Sequence, residues 1–276
     1  MKLLPLTKEF IFDNRSVKYD KLGNGPALVI VHGTPWSSFN LRHLIFELSK
    51  KYTVYFYDLI GYGESSKKKG DVSLEAQNEL LSSLIEYWNL KEPIAIGHDF
   101  GGATVLRTNL LNKIKFKKII LIDPVAVSPW GSPFFKHVNK YEEAFAGVPD
   151  YIHDSIIEAY IKTAIYKTLE KDVLKQTLSF WQGKDSKAAF YRQIAQANSS
   201  YTDEVQSLYP TIKDPVLILW GKEDTWIPLE KGKELNKLIP NSELKVIDDA
   251  GHLIIEEKPD ELLTLIFSFL INNQNK

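Results

Sequence analysis

Six short apolar runs, at residues 27–31, 54–57, 94–96, 119–122, 216–219 and 244–247, end on polar or glycine positions, and helical patterns such as 41–48, 74–88, 232–238 and 260–270 follow most of them. Runs this short and this uniformly apolar read as strands covered on both faces, and helices between successive strands make the sheet parallel. Ahead of them, Phe10 and Phe12, then Val17 and Tyr19, alternate about Asp13-Asn14 as a hairpin. The rhythm stops between Pro124 and Pro210, where residues 125–209 show helical periodicity, many aromatic residues and no strand run. The expected organisation is a core of residues 1–124 and 210–276 with a helical unit inserted at 125–209.

Between the run at 94–96 and a helical pattern at 103–111 stands Gly97-His98-Asp99-Phe100-Gly101-Gly102. A central residue flanked by glycines at a strand-to-helix turn fits the nucleophile elbow Gly-x-Ser-x-Gly. Here the centre is Asp99. A carboxylate attacks esters poorly, because the anhydride formed reverts, but it forms a stable ester with a saturated carbon that bears a leaving group. The residue therefore moves the expected substrate from acyl compounds to alkyl halides or epoxides.

Three more motifs lie at the ends of strand runs. In His32-Gly33-Thr34-Pro35-Trp36, Gly33 permits close backbone approach and Pro35 stiffens the loop and is a candidate for a cis bond. The N–H groups of Thr34 and Phe100 are candidates for a two-donor oxyanion hole. Asp224, closing Trp220-Gly221-Lys222-Glu223-Asp224, is placed to orient an imidazole, and Gly251-His252 supplies one. Taken singly, these motifs also read as ordinary turns, a buried histidine and a helix N-cap. Together they give the order nucleophile, acid, histidine. Asp123, closing the run at 119–122, is an alternative acid.

With these residues in view, the chain resembles the α/β-hydrolase family with an aspartate nucleophile, the branch of epoxide hydrolases and haloalkane dehalogenases. The resemblance implies a mostly parallel eight-stranded sheet flanked by helices, the insertion forming a helical cap. Asp58-Leu59-Ile60-Gly61-Tyr62-Gly63-Glu64-Ser65 matches the Gly-x-Gly-x-Ser segment of epoxide hydrolases, a structural loop in the family. Epoxide hydrolases of this kind donate two tyrosine hydroxyls from the cap to the ring oxygen; Tyr191, in Phe190-Tyr191-Arg192, and Tyr141 resemble that pair. Dehalogenases place a tryptophan after the nucleophile and an asparagine after His-Gly, where this chain has Phe100 and Thr34, leaving Trp36, Trp130 and Trp181 as candidate donors and substrate contacts. Arg107 stands too far along its helix to serve a substrate carboxylate. The resemblance thus implies an epoxide hydrolase acting on a small apolar epoxide, with a haloalkane dehalogenase and a non-catalytic ligand-binding homologue as alternatives.

Composition bounds the rest. A net charge of −1 gives no electrostatic reason to expect nucleic acid or an anionic membrane. With no cysteine, disulfides and thiolate chemistry are excluded, and the six scattered histidines offer no ligand cluster, so no metal or cofactor is expected. Residues 262–271, the longest apolar stretch, are too few to span a bilayer, and the start of the chain has no secretory signal pattern. The expectation is a soluble cytoplasmic monomer or homodimer. Lys67-Lys68-Lys69 reads as a solvated loop.

Overall fold

In the computed structural model, which describes residues 4–272, eight strands form one sheet. They are β1 (Lys8–Phe12), β2 (Arg15–Leu22), β3 (Ala27–Val31), β4 (Thr53–Tyr57), β5 (Ile94–His98), β6 (Lys118–Ile122), β7 (Val216–Gly221) and β8 (Ser242–Ile247), in the spatial order β1-β2-β4-β3-β5-β6-β7-β8. Pairings from β4 to β8 are parallel, whereas β1 with β2 and β2 with β4 are antiparallel. Asp13 and Asn14 both take positive φ, 47° and 56°, as a two-residue hairpin turn requires. β5, β6 and β7 are buried along their whole length, which is why residues 94–96, 119–122 and 216–219 are continuously apolar.

The helices of the core are α1 (Arg42–Leu48), α2 (Leu74–Tyr87) and α3 (Phe100–Leu110). Between β6 and β7 the chain inserts six helices, α4 (Pro133–Lys140), α5 (Glu142–Ala146), α6 (Asp150–Lys162), α7 (Lys171–Ser179), α8 (Lys184–Ala195) and α9 (Ser200–Gln206). The core then closes with α10 (Leu229–Leu238), α11 (Ile254–Glu257) and α12 (Pro259–Asn272). The observed fold is the expected mostly parallel eight-stranded sheet with flanking helices and a helical insertion.

From β3 the chain passes to β4 on one side and then to β5 on the other, so the strand order reverses at β3. The crevice beyond the carboxyl ends of strands at such a reversal is where open α/β sheets bind ligands. Val31 pairs with Gly97, which sets the His32–Trp36 loop beside the elbow.

The Asp58–Ser65 loop is a support. Asp58 accepts from the N–H groups of Ser38 at 2.8 Å and Glu64 at 2.7 Å, and a Cβ on Gly63, at φ 47°, would sit 2.0 Å from its carboxylate. One expectation is corrected here. Lys68 and Lys69 are exposed, but Lys67 is half-buried, donates to the Gly63 carbonyl and lies over the Trp181 ring. Among the described residues, no helix is long and apolar enough to cross a membrane.

Candidate active site

Asp99 stands between β5 and α3 with φ 52° and ψ −117°, an unusual backbone for a residue with a side chain, and its N–H donates to the Ile122 carbonyl at 3.0 Å. The turn is tight enough to demand its glycines. A Cβ on Gly101 would lie 2.2 Å from the Val31 carbonyl oxygen, and one on Gly33 would lie 2.4 Å from the Asp99 side chain. The second contact puts the backbone of the His32–Trp36 loop directly against the carboxylate.

That carboxylate is shared between two groups. The Thr34 N–H donates to Asp99 Oδ2 at 2.6 Å, while Oδ1 lies 3.3 Å from Nε2 of His252. Thr34 follows β3, and its peptide to Pro35 is cis. Phe100, at the start of α3, has an N–H that its own helix cannot satisfy. Of the two expected oxyanion donors, Thr34 is seen on the Asp99 carboxylate and Phe100 is its neighbour in the chain.

His252 Nδ1 lies 2.7 Å from Asp224 Oδ2, and the other Asp224 oxygen accepts from the N–H groups of Trp226 at 2.8 Å and Ile227 at 2.9 Å. The acid is thus fixed by its own loop and turns one oxygen to the imidazole. Burial pulls the His252 pKa down, but the Asp224 carboxylate, aided by Asp99, outweighs it and holds the value well above the ordinary range. Asp123 does not reach the imidazole by a hydrogen bond. Its Oδ1 accepts from the Gly221 N–H at 2.8 Å, its Oδ2 is buried without a hydrogen-bond partner among the described residues, and burial beside Asp224 pushes its pKa up.

Two further histidines are structural. His32 donates from Nδ1 to the Gly33 carbonyl and accepts at Nε2 from the Leu59 N–H, which makes it neutral. His98 donates from Nε2 to the His252 carbonyl, and burial pushes its pKa down to about 4.

A cavity opens over Asp99, lined by Thr34, Phe100, Trp130, Phe135, Tyr160 and Trp226 among others. Among the described residues, no lysine or arginine lines it. Of the expected substrate contacts, Trp130 is in the wall, with its N–H donated to Thr202 at 2.8 Å. Trp181 donates its N–H to the Pro35 carbonyl at 2.8 Å, and Trp36 is buried against Trp226; neither is in the wall. Arg107 is held by Asn78, Glu204 and the Tyr201 carbonyl, away from the cavity.

The tyrosine expectation needs correction. Tyr141 is 43% exposed and packs on His137. Tyr191 is buried, but its hydroxyl meets His153 Nδ1 at 3.0 Å, and because His153 Nε2 must donate to the Trp181 carbonyl, the tyrosine proton goes to His153. Tyr160 of α6 faces the cavity instead, its hydroxyl without a hydrogen-bond partner among the described residues, and burial, then Asp99, raises its pKa well above the usual phenol value. Nothing in the sequence separates Tyr160 from the other tyrosines. Trp226 was also missed, although its position two residues after Asp224 was a usable signal. Gln193 of α8 was missed too; its side-chain oxygen accepts from the hydroxyls of Thr34 and, at 3.0 Å, Tyr62.

The architecture has close counterparts. A solved alpha/beta hydrolase fold protein from Burkholderia ambifaria is 41% identical, with a TM-score of 0.94 over 97% of this chain and 99% of that one. The uncharacterized hydrolase YugF of Bacillus subtilis is 26% identical over 98% of this chain and all of its own length. A cis-3-alkyl-4-alkyloxetan-2-one decarboxylase of Xanthomonas campestris is 24% identical over 91% of this chain and 90% of its own. The alpha/beta hydrolase fold family matches residues 26–259, and with an elbow, a histidine and an acid at the ends of its strands the chain belongs to that family as a hydrolase.

Proposed function

We propose that the protein hydrolyses a small, neutral epoxide to a diol through a covalent ester on Asp99. The observation that carries this reading is the divided environment of the Asp99 carboxylate, Oδ2 on the Thr34 N–H and Oδ1 beside His252. In the first step Oδ1 attacks a ring carbon, the carbon–oxygen bond breaks, and the alkoxide takes a proton. Tyr160 is the donor best placed for that proton, since its hydroxyl is raised in pKa by burial and by Asp99, and the Thr34 hydroxyl in the same wall already donates to Gln193.

Esterification removes the negative charge of Asp99, one of the two charges that keep His252 protonated. The imidazolium gives up its proton more readily as a result, the Tyr160 hydroxyl is restored by it, and the neutral ring is then the base that takes a proton from the water attacking the ester carbon. The oxyanion formed is received by the N–H groups of Thr34 and Phe100. Collapse releases the diol and restores the carboxylate.

A halide leaving group is served less well, because Trp130 and Trp181 already donate their N–H groups, Trp36, whose N–H has no hydrogen-bond partner among the described residues, is not in the cavity wall, and Phe100 has no donor in its side chain. An oxetan-2-one, the ring in the name of the Xanthomonas relative, has a specific claim as a second reading. It is also a strained ring with a saturated carbon–oxygen bond, and opening it there expels a carboxylate, which needs no strong acid in the cavity.

The test uses His252→Gln, which should be alkylated without turning over. Incubated with a terminal epoxide, a bromoalkane and a short β-lactone in turn, it should gain the full mass of the epoxide on the peptide containing Asp99. Gain of an alkyl group alone from the bromoalkane supports the dehalogenase. No adduct with any of the three, where the wild type turns one over, removes the covalent route.

A further inference from the structure

We propose that the indole of Trp226 is a positioning residue for His252: it fixes the imidazole in the plane that bridges Asp224 and Asp99 and stabilises the protonated ring through its π face. The inference rests on the reading of His252 as the base, and its geometry is independent of any substrate. His252 makes one side-chain hydrogen bond, from Nδ1 to Asp224, while Nε2 has no hydrogen-bond partner among the described residues. Nε2 meets Asp99 Oδ1 only across the longer 3.3 Å ion pair, so the tilt of the ring about the line between the two carboxylates is left to its packing neighbours. Trp226 lies against it, with ring centroids 5.0 Å apart and planes 31° from parallel, and His98 packs against the same imidazole at 5.3 Å.

The indole is itself held in place. Its Nε1 donates to Thr163 Oγ1 at 2.9 Å, at the end of α6, and its ring stacks on Tyr160 at 4.5 Å and Trp36 at 5.8 Å. Its backbone N–H, which any substitution keeps, is the one that donates to Asp224. Changing the side chain therefore removes the π face and leaves the acid's anchor in place.

The electron-rich face of an indole attracts a cation, most strongly where water is excluded. The groups that face His252 are Asp99 from the elbow, Asp123 from the end of β6, Asp224 from the loop after β7 and neutral His98 from β5, with Glu257 of α11 on the adjoining Gly251 N–H at 2.8 Å. None of these is altered by a change at Trp226.

The measurement is the titration of His252 by NMR on protein with labelled histidine rings, the signal identified by its loss in His252→Gln. Trp226→Leu should lower the midpoint by about one pH unit, and Trp226→Phe, which keeps an aromatic face, should retain most of the wild-type value. A ring that merely shielded His252 from water would give the opposite sign, since exposure favours the charged form. An unchanged or raised midpoint in Trp226→Leu overturns the proposal. If that variant loses its near-ultraviolet circular dichroism, Trp226→Met, of more adaptable shape and without a π face, is read by the same criterion. Failure of the alkylation test would remove the function proposed for Asp99 and leave this result standing.

Discussion

The carboxyl end of the sheet and the helical insertion supply the two halves of the site by different means. Asp99, Asp224 and His252 come from loops after β5, β7 and β8, and their backbones are fixed by pairing, by glycine turns and by N–H donors. Tyr160, Trp130 and Phe135 come from the insertion, where helix rotation and helix packing decide which side chain faces inward. Chemistry on the sheet is therefore set by chain order, whereas the roof depends on which aromatic residue a neighbour has already engaged. His153 engages Tyr191, and Tyr160 is left facing the cavity.

The largest expected effect tests the sheet half. Asp99→Ala should take turnover to background, measured by diol release; residual catalysis would mean that the elbow carries no nucleophile. In single turnover in heavy-oxygen water, the first diol should carry ordinary oxygen and the Asp99 peptide the label. Asp224→Asn should then lower kcat by about 10⁴-fold, as when the acid of a Ser-His-Asp triad becomes an amide. Asp123→Asn should change kcat only a few-fold, since an amide oxygen can still accept from the Gly221 N–H and burial already favours the uncharged form of the carboxyl. Equal losses in the two variants would mean that both acids serve His252.

The insertion half is tested next. Tyr160→Phe should slow epoxide alkylation by about 10²- to 10³-fold, the loss typical of one charge-stabilising donor, as followed by stopped-flow single turnover. Tyr191→Phe and Tyr141→Phe should leave that step close to wild type. The reverse pattern would show that the insertion rearranges around substrate and that the tyrosines resembling those of epoxide hydrolases are used after all.

The last effect is on stability. Unfolded, His98 gains a proton near pH 6.5, but buried it resists protonation until about pH 4. Its contribution is thus complete above pH 6.5 and lost as the pH falls from there to 4, by about 3 kcal/mol. Denaturant unfolding of wild type and His98→Gln should converge over that window; a constant difference would contradict it. His252 has the opposite sign. Its raised value gives stability that is full below pH 6.5 and lost as the pH rises through the folded pKa, so wild type and His252→Gln should draw together toward high pH.

Much of the core is legible in the amino-acid sequence. The apolar runs named six strands, the asparagine turn named the hairpin, and the glycines about Asp99 named the elbow. These are local or strictly ordered properties: strand burial, positive φ and close backbone approach each need particular residue types at particular spacings. The choice between Asp123 and Asp224 could not be made that way, because both end neighbouring strands and only the three-dimensional path of the Gly221–Ile227 loop turns Asp224 toward the imidazole.

The sequence by itself determined the sheet, the elbow and the carboxylate at its tip, because backbone geometry there leaves few other solutions. Tertiary structure alone decided which tyrosine meets the cavity, which tryptophan N–H groups are already used and which ring lies on His252. Each of those depends on packing between helices and loops distant in sequence, and many aromatic arrangements satisfy the same helical periodicity.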